Sequence, residues 1–294
     1  MIGVFDIVQP GSVAEASALL RQHGSDATIY AGGTELLILL KDRLLEPALL
    51  VDIKHIPGLG AISLDPCGCM VRIGALATHR QIERSGVVLA ALPELAATEA
   101  NVANVRVRHA GTLGGNLAFA EPHSDPATLL IALGATIALG SDAGTREVPA
   151  EEFFTGFLST AREPEELITE VLVPTVEPGT AVIYERFKIH ERPSASLGLV
   201  MDIEDGRIGT ARMVVGCIGE RPVQMTRAEA MLAGQAPSAD LFAAAAEAVR
   251  EDAVPTTDAF ESDEYKRHLA ATLAVRALER ATGTGAASAT GAAR

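Results

Sequence analysis

The chain has 294 residues, 48% of them hydrophobic, which is enough apolar material for one large or two modest cores. A formal charge of -14 works against nucleic-acid binding, which needs a concentrated basic surface, and reads as an acidic solvated face. The three cysteines, Cys67, Cys69 and Cys217, form neither a CxxC pair nor a four-ligand set, so neither zinc nor an iron–sulfur cluster is expected on this chain.

The first residues lack a basic stretch followed by an apolar run, and no segment approaches about eighteen uninterrupted apolar residues; the expectation is a cytoplasmic protein without a transmembrane segment. Ser12 opens the apolar-periodic stretch Val13, Ala16, Leu19 and Leu20, with Glu15 three residues on. That capping box predicts a helix over 12–23, closed by Gly24. Residues 27–31 read as a strand, two glycines follow, 36–40 is an apolar helical run, and 49–53 is the next strand. The first fifty-odd residues thus suggest a small α/β unit.

From about 57 the texture changes to short strands (61–64 and 70–73) mixed with helices near 78–84 and 93–104, a larger α+β unit. Residues 125–133 are helical in pattern, and 135–139 with 146–148 form a hairpin around Ser141, Asp142, Ala143 and Gly144. Pro174, Pro178 and Gly179 mark a linker. Beyond it the strand-like runs 182–189, 195–203 and 207–217 precede helices near 225–232, 238–250 and 261–280, which suggests a separate α+β domain whose sheet is covered on one face. Residues 282–294 are almost all Ala, Gly, Ser and Thr and read as a flexible tail. The expected division is therefore 1–176, split near 56, then 177–281, then the tail.

Two glycine-rich stretches carry the chemistry. Ala31-Gly32-Gly33-Thr34-Glu35 lies between a predicted strand and a predicted helix, where glycines let backbone N–H groups approach an anion and Thr34 can cap the helix or bond a phosphate oxygen. The same text suits a tight strand-to-helix turn with no ligand. The second stretch, running from His109 through Thr112-Leu113-Gly114-Gly115-Asn116 to Leu117, reads as a loop that presents a concave row of N–H donors suited to a diphosphate, or as a plain glycine-rich crossing. Neither stretch matches GxGxxG, and no GxxxxGK[ST] occurs, which disfavours an ordinary Rossmann domain and a P-loop NTPase.

Taken in order, these motifs resemble the FAD-binding subunits of molybdenum hydroxylases, of the kind found as medium subunits of carbon monoxide dehydrogenase and as the flavin domain of xanthine dehydrogenase. The resemblance covers nearly the whole chain: Phe5 and Pro10, then AGGTELL from Ala31 and TLGGNLA from Thr112, Ser124-Asp125, Arg186-Phe187-Lys188, the helix start at Glu264-Tyr265-Lys266-Arg267, and Arg276-Ala277-Leu278. It implies a two-part FAD-binding domain of the vanillyl-alcohol-oxidase/PCMH type, with a small α/β unit and a larger α+β unit, followed by a C-terminal α+β domain.

The resemblance also implies roles position by position. Ala31, Gly32, Gly33, Thr34 and Glu35 match the family's first pyrophosphate loop, and Thr112, Leu113, Gly114, Gly115 and Asn116 its second. Asp125 matches an aspartate near the flavin or adenosine, and from the residues alone it is also a helix N-cap. Ile168 matches an apolar residue against the flavin, otherwise a core strand residue. Lys188 matches a lysine near the isoalloxazine, where a cation stabilises negative charge on the reduced ring; otherwise it is a solvated strand lysine. No residue is expected to be catalytic. His109 and His123 are read as polar loop histidines.

Two departures stand out: AGGTE replaces the AGGHS of the carbon monoxide enzymes, and Glu191-Arg192-Pro193-Ser194 carries no aromatic where that enzyme has a tyrosine. The implied function is an electron relay, passing electrons from iron–sulfur clusters of a partner subunit through FAD to an external acceptor. The implied partners are a large molybdopterin-binding subunit and a small 2Fe-2S subunit, assembled as a dimer of heterotrimers. A self-contained FAD-dependent oxidase or reductase with its own substrate is the alternative.

Overall fold

The computed structural model describes residues 3–189 and 192–283. Strands Asp6–Val8 (β1), Ala27–Tyr30 (β2) and Leu49–Asp52 (β3) form a parallel sheet in the order β1-β3-β2, with helices Val13–His23 (α1) and Leu36–Lys41 (α2) in the connections. Ser12 caps α1 by accepting from the Glu15 N–H, while the Glu15 carboxylate reaches the Gly11 N–H, one residue earlier than a standard capping box. Gly24 ends α1 at φ 54°. Strand β1 was not anticipated, because its three residues are exposed and show no alternation; only pairing with β3 makes it a strand.

The second unit is built on the antiparallel sheet β4-β5-β10-β6-β7, with β4 at Ile62–Leu64, β5 at Met70–Gly74, β6 at Thr136–Ser141, β7 at Gly144–Pro149 and β10 at Leu167–Pro174. The β6–β7 hairpin turns at Asp142 and Ala143, within the expected stretch. The helices are His79–Arg84 (α3), Gly86–Ala91 (α4), Pro93–Glu99 (α5), Val105–Ala110 (α6), Leu113–Phe119 (α7), Asp125–Ala132 (α8) and Ala150–Phe153 (α9), and a small hairpin pairs Phe154–Gly156 (β8) with Ser159–Thr160 (β9).

Three expectations are corrected here. The single helix over 93–104 stops at Glu99, because the Asn104 side chain accepts the Arg106 and Val107 N–H groups and starts a new helix. Helix α4 had gone unread; Ser85 caps it by accepting from Val88. The second glycine stretch is not a loop. Thr112 is the N-cap of α7, its hydroxyl accepting the Gly115 N–H, and the burial of Leu113 and Leu117 offsets the poor helix propensity of two glycines.

The third unit is the antiparallel sheet Ala181–Phe187 (β11), Ala195–Glu204 (β12), Arg207–Gly216 (β13) and Val223–Gln224 (β14), in that order. Helices Thr226–Leu232 (α10) and Asp263–Thr282 (α12) pack against it, and Ala239–Asp252 (α11) packs on those two helices. Helix α12 runs through Thr282 and ends on Gly283 at φ 67°, so the helix takes in the first residue of the expected tail, and 284–294 lie outside the described residues.

Apolar side chains gather into three cores. One lies under the parallel sheet and takes Leu167 from β10; one fills the second unit; one lies between the last sheet and its helices. Helix α8 is buried along its whole length and packs on β12 and β13, wedged between the second and third units. Gly198 and Gly216 let the last sheet close onto it: a Cβ on Gly198 would meet the Ala132 Cβ at 3.0 Å, and one on Gly216 would collide with Thr128 Oγ1. Cys67 and Cys69, on the turn between β4 and β5, are joined by a disulfide, and Cys217 is a buried free thiol. Among the described residues no helix is long and apolar enough to cross a membrane.

Candidate functional site

A cavity of about 400 Å³ opens where the first two units meet. The β2–α2 turn forms one wall and the start of α7 another; Ile168 of β10 and Asp125 of α8 also line it. The two glycine stretches, eighty residues apart in sequence, are in contact: the space a Gly32 Cβ would need is already filled by the Ala110 carbonyl. Glycine at 32 therefore permits the junction itself. Gly33 has φ 75°, and a Cβ there would also run into the Tyr30 ring, so this turn is closed to other residues on two counts.

The two stretches present different donors. The N–H groups of Gly32, Gly33, Thr34, Glu35 and Leu36 have no acceptor among the described residues, which leaves a row of free donors where α2 begins. In the second stretch the Leu113 N–H donates to Ala77 O at 3.0 Å, Gly114 N–H to Ala75 O at 2.9 Å, Gly115 N–H to the Thr112 hydroxyl and Asn116 N–H to Thr112 O. Those bonds fix the stretch to the β5–α3 connection rather than leaving it as a second open row. The Asn116 Oδ1 accepts from Ser124 at 2.6 Å, which leaves its amide Nδ2 free of protein partners among the described residues.

Of the residues singled out in the sequence, Ala31, Gly32, Gly33, Thr34, Glu35, Thr112, Gly114, Gly115, Asn116, Asp125 and Ile168 all line this one cavity. Leu113 does not: it is fully buried in the core under α7. Lys188 does not either; it is exposed just past the end of β11. Asp125 is not the N-cap of α8, since Ser124 holds that position and Asp125 is the first helical residue. Its carboxylate accepts from Tyr184 Oη at 2.7 Å and Arg186 Nη1 at 3.0 Å, both on β11. Burial raises the Asp125 carboxyl above its ordinary value, and the charge of Arg186, its hydrogen bonds from Tyr184 and Arg186, and the charge of Lys188 offset only part of that.

Two lining residues, Arg162 and His79, carried no sequence signal, whereas His123 was read as a polar loop histidine. Arg162 donates through Nη1 to the carbonyls of Glu163, Pro164 and Glu166, while its buried Nε has no partner among the described residues. Burial pulls its guanidinium below the ordinary value against the attraction of Glu166 and Glu165. His123 lines the cavity with Nδ1 2.8 Å from Glu121, and Arg192 pairs with the same carboxylate at 2.9 Å. Burial works against the Glu121 charge, but these two partners leave its carboxyl below the usual range. His109 is exposed at the end of α6 and does not line the cavity. His79, at the start of α3, is a buried lining residue with Nδ1 2.5 Å from Glu99.

This arrangement can hold an elongated anion. Free N–H donors lie at one glycine turn, the unpaired Asn116 amide belongs to the lining, and apolar residues such as Ile168, Phe119 and Val102 lie among them.

Comparison with known proteins agrees with that chemistry. Residues 3–176 match the family model for the FAD binding domain in molybdopterin dehydrogenase, and residues 188–281 match the CO dehydrogenase flavoprotein C-terminal domain. The chain is 34% identical to the carbon monoxide dehydrogenase medium chain of Afipia carboxidovorans, over 95% of this chain and 97% of that one. It is 31% identical to the caffeine dehydrogenase subunit beta of a Pseudomonas species, over 94% of each. Among solved structures it superposes on carbon monoxide dehydrogenase from Hydrogenophaga pseudoflava with a TM-score of 0.93 at 35% identity, covering 97% of this chain and 100% of that one. It superposes on quinoline 2-oxidoreductase from Pseudomonas putida 86 with a TM-score of 0.90 at 31% identity, covering 96% and 99%. The chain therefore belongs to the FAD-binding medium subunits of the molybdenum hydroxylases.

Proposed function

We propose that the cavity between the two glycine turns is the FAD site, with the diphosphate against the free N–H row of residues 32–36 and the start of α7. The observation that carries this is the contact of the turns: Gly32 against Ala110 brings unpaired donors and the α7 N-terminus to one point. The residues present suit the cofactor. They offer backbone donors and the Thr34 hydroxyl to phosphate oxygens, Asn116 Nδ2 to a further acceptor, and Ile168 as an apolar surface for an aromatic ring.

When bound, FAD accepts and releases electrons, and that redox chemistry belongs to the cofactor. The protein's part is to bind, orient and shield. Thr112 holds the α7 N-terminus in place through its cap. Asp125, tied to Tyr184 and Arg186, couples the cavity wall to the third unit, so that β11 steadies the site from outside. Lys188 contributes positive charge beyond that wall, where it acts on the electrostatics of the site without touching its lining. No base or nucleophile of this chain enters the scheme.

In this reading the chain relays electrons within a larger assembly. A large molybdopterin-binding subunit oxidises the substrate, a small 2Fe-2S subunit passes electrons on, and two such heterotrimers pair in the cytoplasm. Residues 1–176, divided near 56, form the FAD-binding part, and 177–281 the C-terminal domain. The test is flavin reduction by candidate substrates with the purified chain and then with its co-purifying partners. The relay reading expects reduction at catalytic rates only with the partners present, and such rates from the chain alone would replace it with a self-contained oxidase.

A further inference from the structure

The cavity has a buried ion-pair partner that neither glycine turn supplies. His79 is the first residue of α3, 2% exposed, and one of the residues lining the cavity. Its backbone N–H donates to Gly111 O at 3.2 Å, and the Cβ position of Gly111 lies 3.2 Å from His79 Cδ2 and 3.4 Å from Thr34 Oγ1. The imidazole therefore lies where the two glycine turns meet, with the Cδ2 edge toward them. On the opposite edge Nδ1 is 2.5 Å from Oε2 of Glu99, which is fully buried on α5 and whose other oxygen, Oε1, has no partner among the described residues. Nε2, bonded to Cδ2, has no hydrogen-bond partner among the described residues.

A carboxylate sealed in the core with one oxygen unpaired is costly unless a positive charge sits beside it. An imidazolium in this place, with Nδ1–H donated to Glu99, would meet that need and turn a second N–H toward the junction. Building on the assignment of the cavity to FAD, we infer that His79 binds the diphosphate as an imidazolium, with Nε2–H donated to a phosphate oxygen, and that Glu99 is the positioning residue that fixes the ring's orientation. The first turn then supplies neutral backbone donors, and His79 supplies the charge-assisted one.

The test is to remove FAD from the full-length protein and titrate it back into wild type, His79→Gln and Glu99→Gln. Flavin absorbance reads the affinity. The ³¹P resonances of the bound diphosphate and the ¹⁵N resonance of His79 Nε2 read the contact. His79→Gln is expected to weaken FAD about tenfold to a hundredfold, the range for loss of one charge-assisted bond. It should also move a ³¹P resonance, and Glu99→Gln should weaken FAD by a smaller factor. In the wild type, saturation with FAD should shift the Nε2 signal, a readout that holds even if a variant does not fold. Full affinity in His79→Gln, or an Nε2 signal unmoved by bound FAD, overturns the role of His79 while leaving the cavity assignment intact. Failure of the wild type to bind FAD at all overturns both.

Discussion

Arg186 on β11 donates to Asp125 at the start of α8 across a 3.0 Å contact, so the cavity wall and the third unit are joined by a carboxylate that is 7% exposed. Burial raises the Asp125 carboxyl, and the Arg186 charge is the largest influence holding it down. Arg186→Met removes that support, leaving the carboxylate with the Tyr184 hydrogen bond and the charge of Lys188. The expected loss at neutral pH is about 2–3 kcal/mol, below the roughly 3–5 of a fully buried pair because Arg186 is partly solvated. A folded-state value raised above the unfolded one contributes stability that is fully present below the unfolded value and is lost as pH climbs through the folded value. The Arg186→Met deficit should therefore shrink as pH falls from 7 toward 4, as read by urea midpoints; a deficit independent of pH would argue against this coupling.

Lys266 on α12 is buried and donates to Thr256 O at 2.7 Å and to Asp258 at 2.6 Å, pinning the loop ahead of its own helix. The Lys266 hydrogen bond lowers the Asp258 carboxyl to about 2. Such a depressed value stabilises the fold above the unfolded value near 4 and is lost as pH falls through 2. Asp258→Asn should cost about 1 kcal/mol at pH 6, at the low end because the carboxylate is a third exposed. Melting temperatures of the two proteins should converge between pH 4 and 2, and a gap that persists at pH 2 would exclude the ion pair as its cause.

Gly32→Ala puts a methyl into the Ala110 carbonyl, a backbone atom that cannot swing aside. The turns must separate, so FAD retention should fall at least tenfold while the circular dichroism spectrum stays close to wild type. Unchanged retention would mean that the junction does not shape the site.

Much of this frame was readable in the residues. Ser12 and Gly24 bracketed α1, and Asp142-Ala143 marked a real turn, because caps and turns are written in local side-chain chemistry. Strand β1 was hidden because its partner lies forty residues away, and α7 because the bonds of Leu113 to Ala77 and Gly114 to Ala75 that hold it are tertiary. At the site, the glycine turns announced themselves. His79 did not: its partner Glu99 is twenty residues on, on another helix, and a lone histidine at a helix start has no pattern to read. Arg162 was missed for the same reason, since its anchors are backbone carbonyls.

Lys188 lies outside the cavity lining, but its charge reaches Asp125. Lys188→Met should leave FAD occupancy unchanged and lower the flavin midpoint potential by about 5–20 mV, the size of a solvent-screened charge acting on a two-electron couple. Spectroelectrochemical titration checks this, and a rise in potential would contradict the sign.

The central claim, that FAD's diphosphate sits against the two turns, is tested most directly by the flavin-to-protein ratio of purified Gly115→Val. Gly115 is exposed and lines the cavity; a Cβ added there meets only the Thr112 hydroxyl, at 2.9 Å, and the methyl groups of a valine take up space beside the α7 N-terminus. The account predicts a folded protein that has lost most of its flavin beside a fully loaded wild type; full flavin occupancy in Gly115→Val would contradict it.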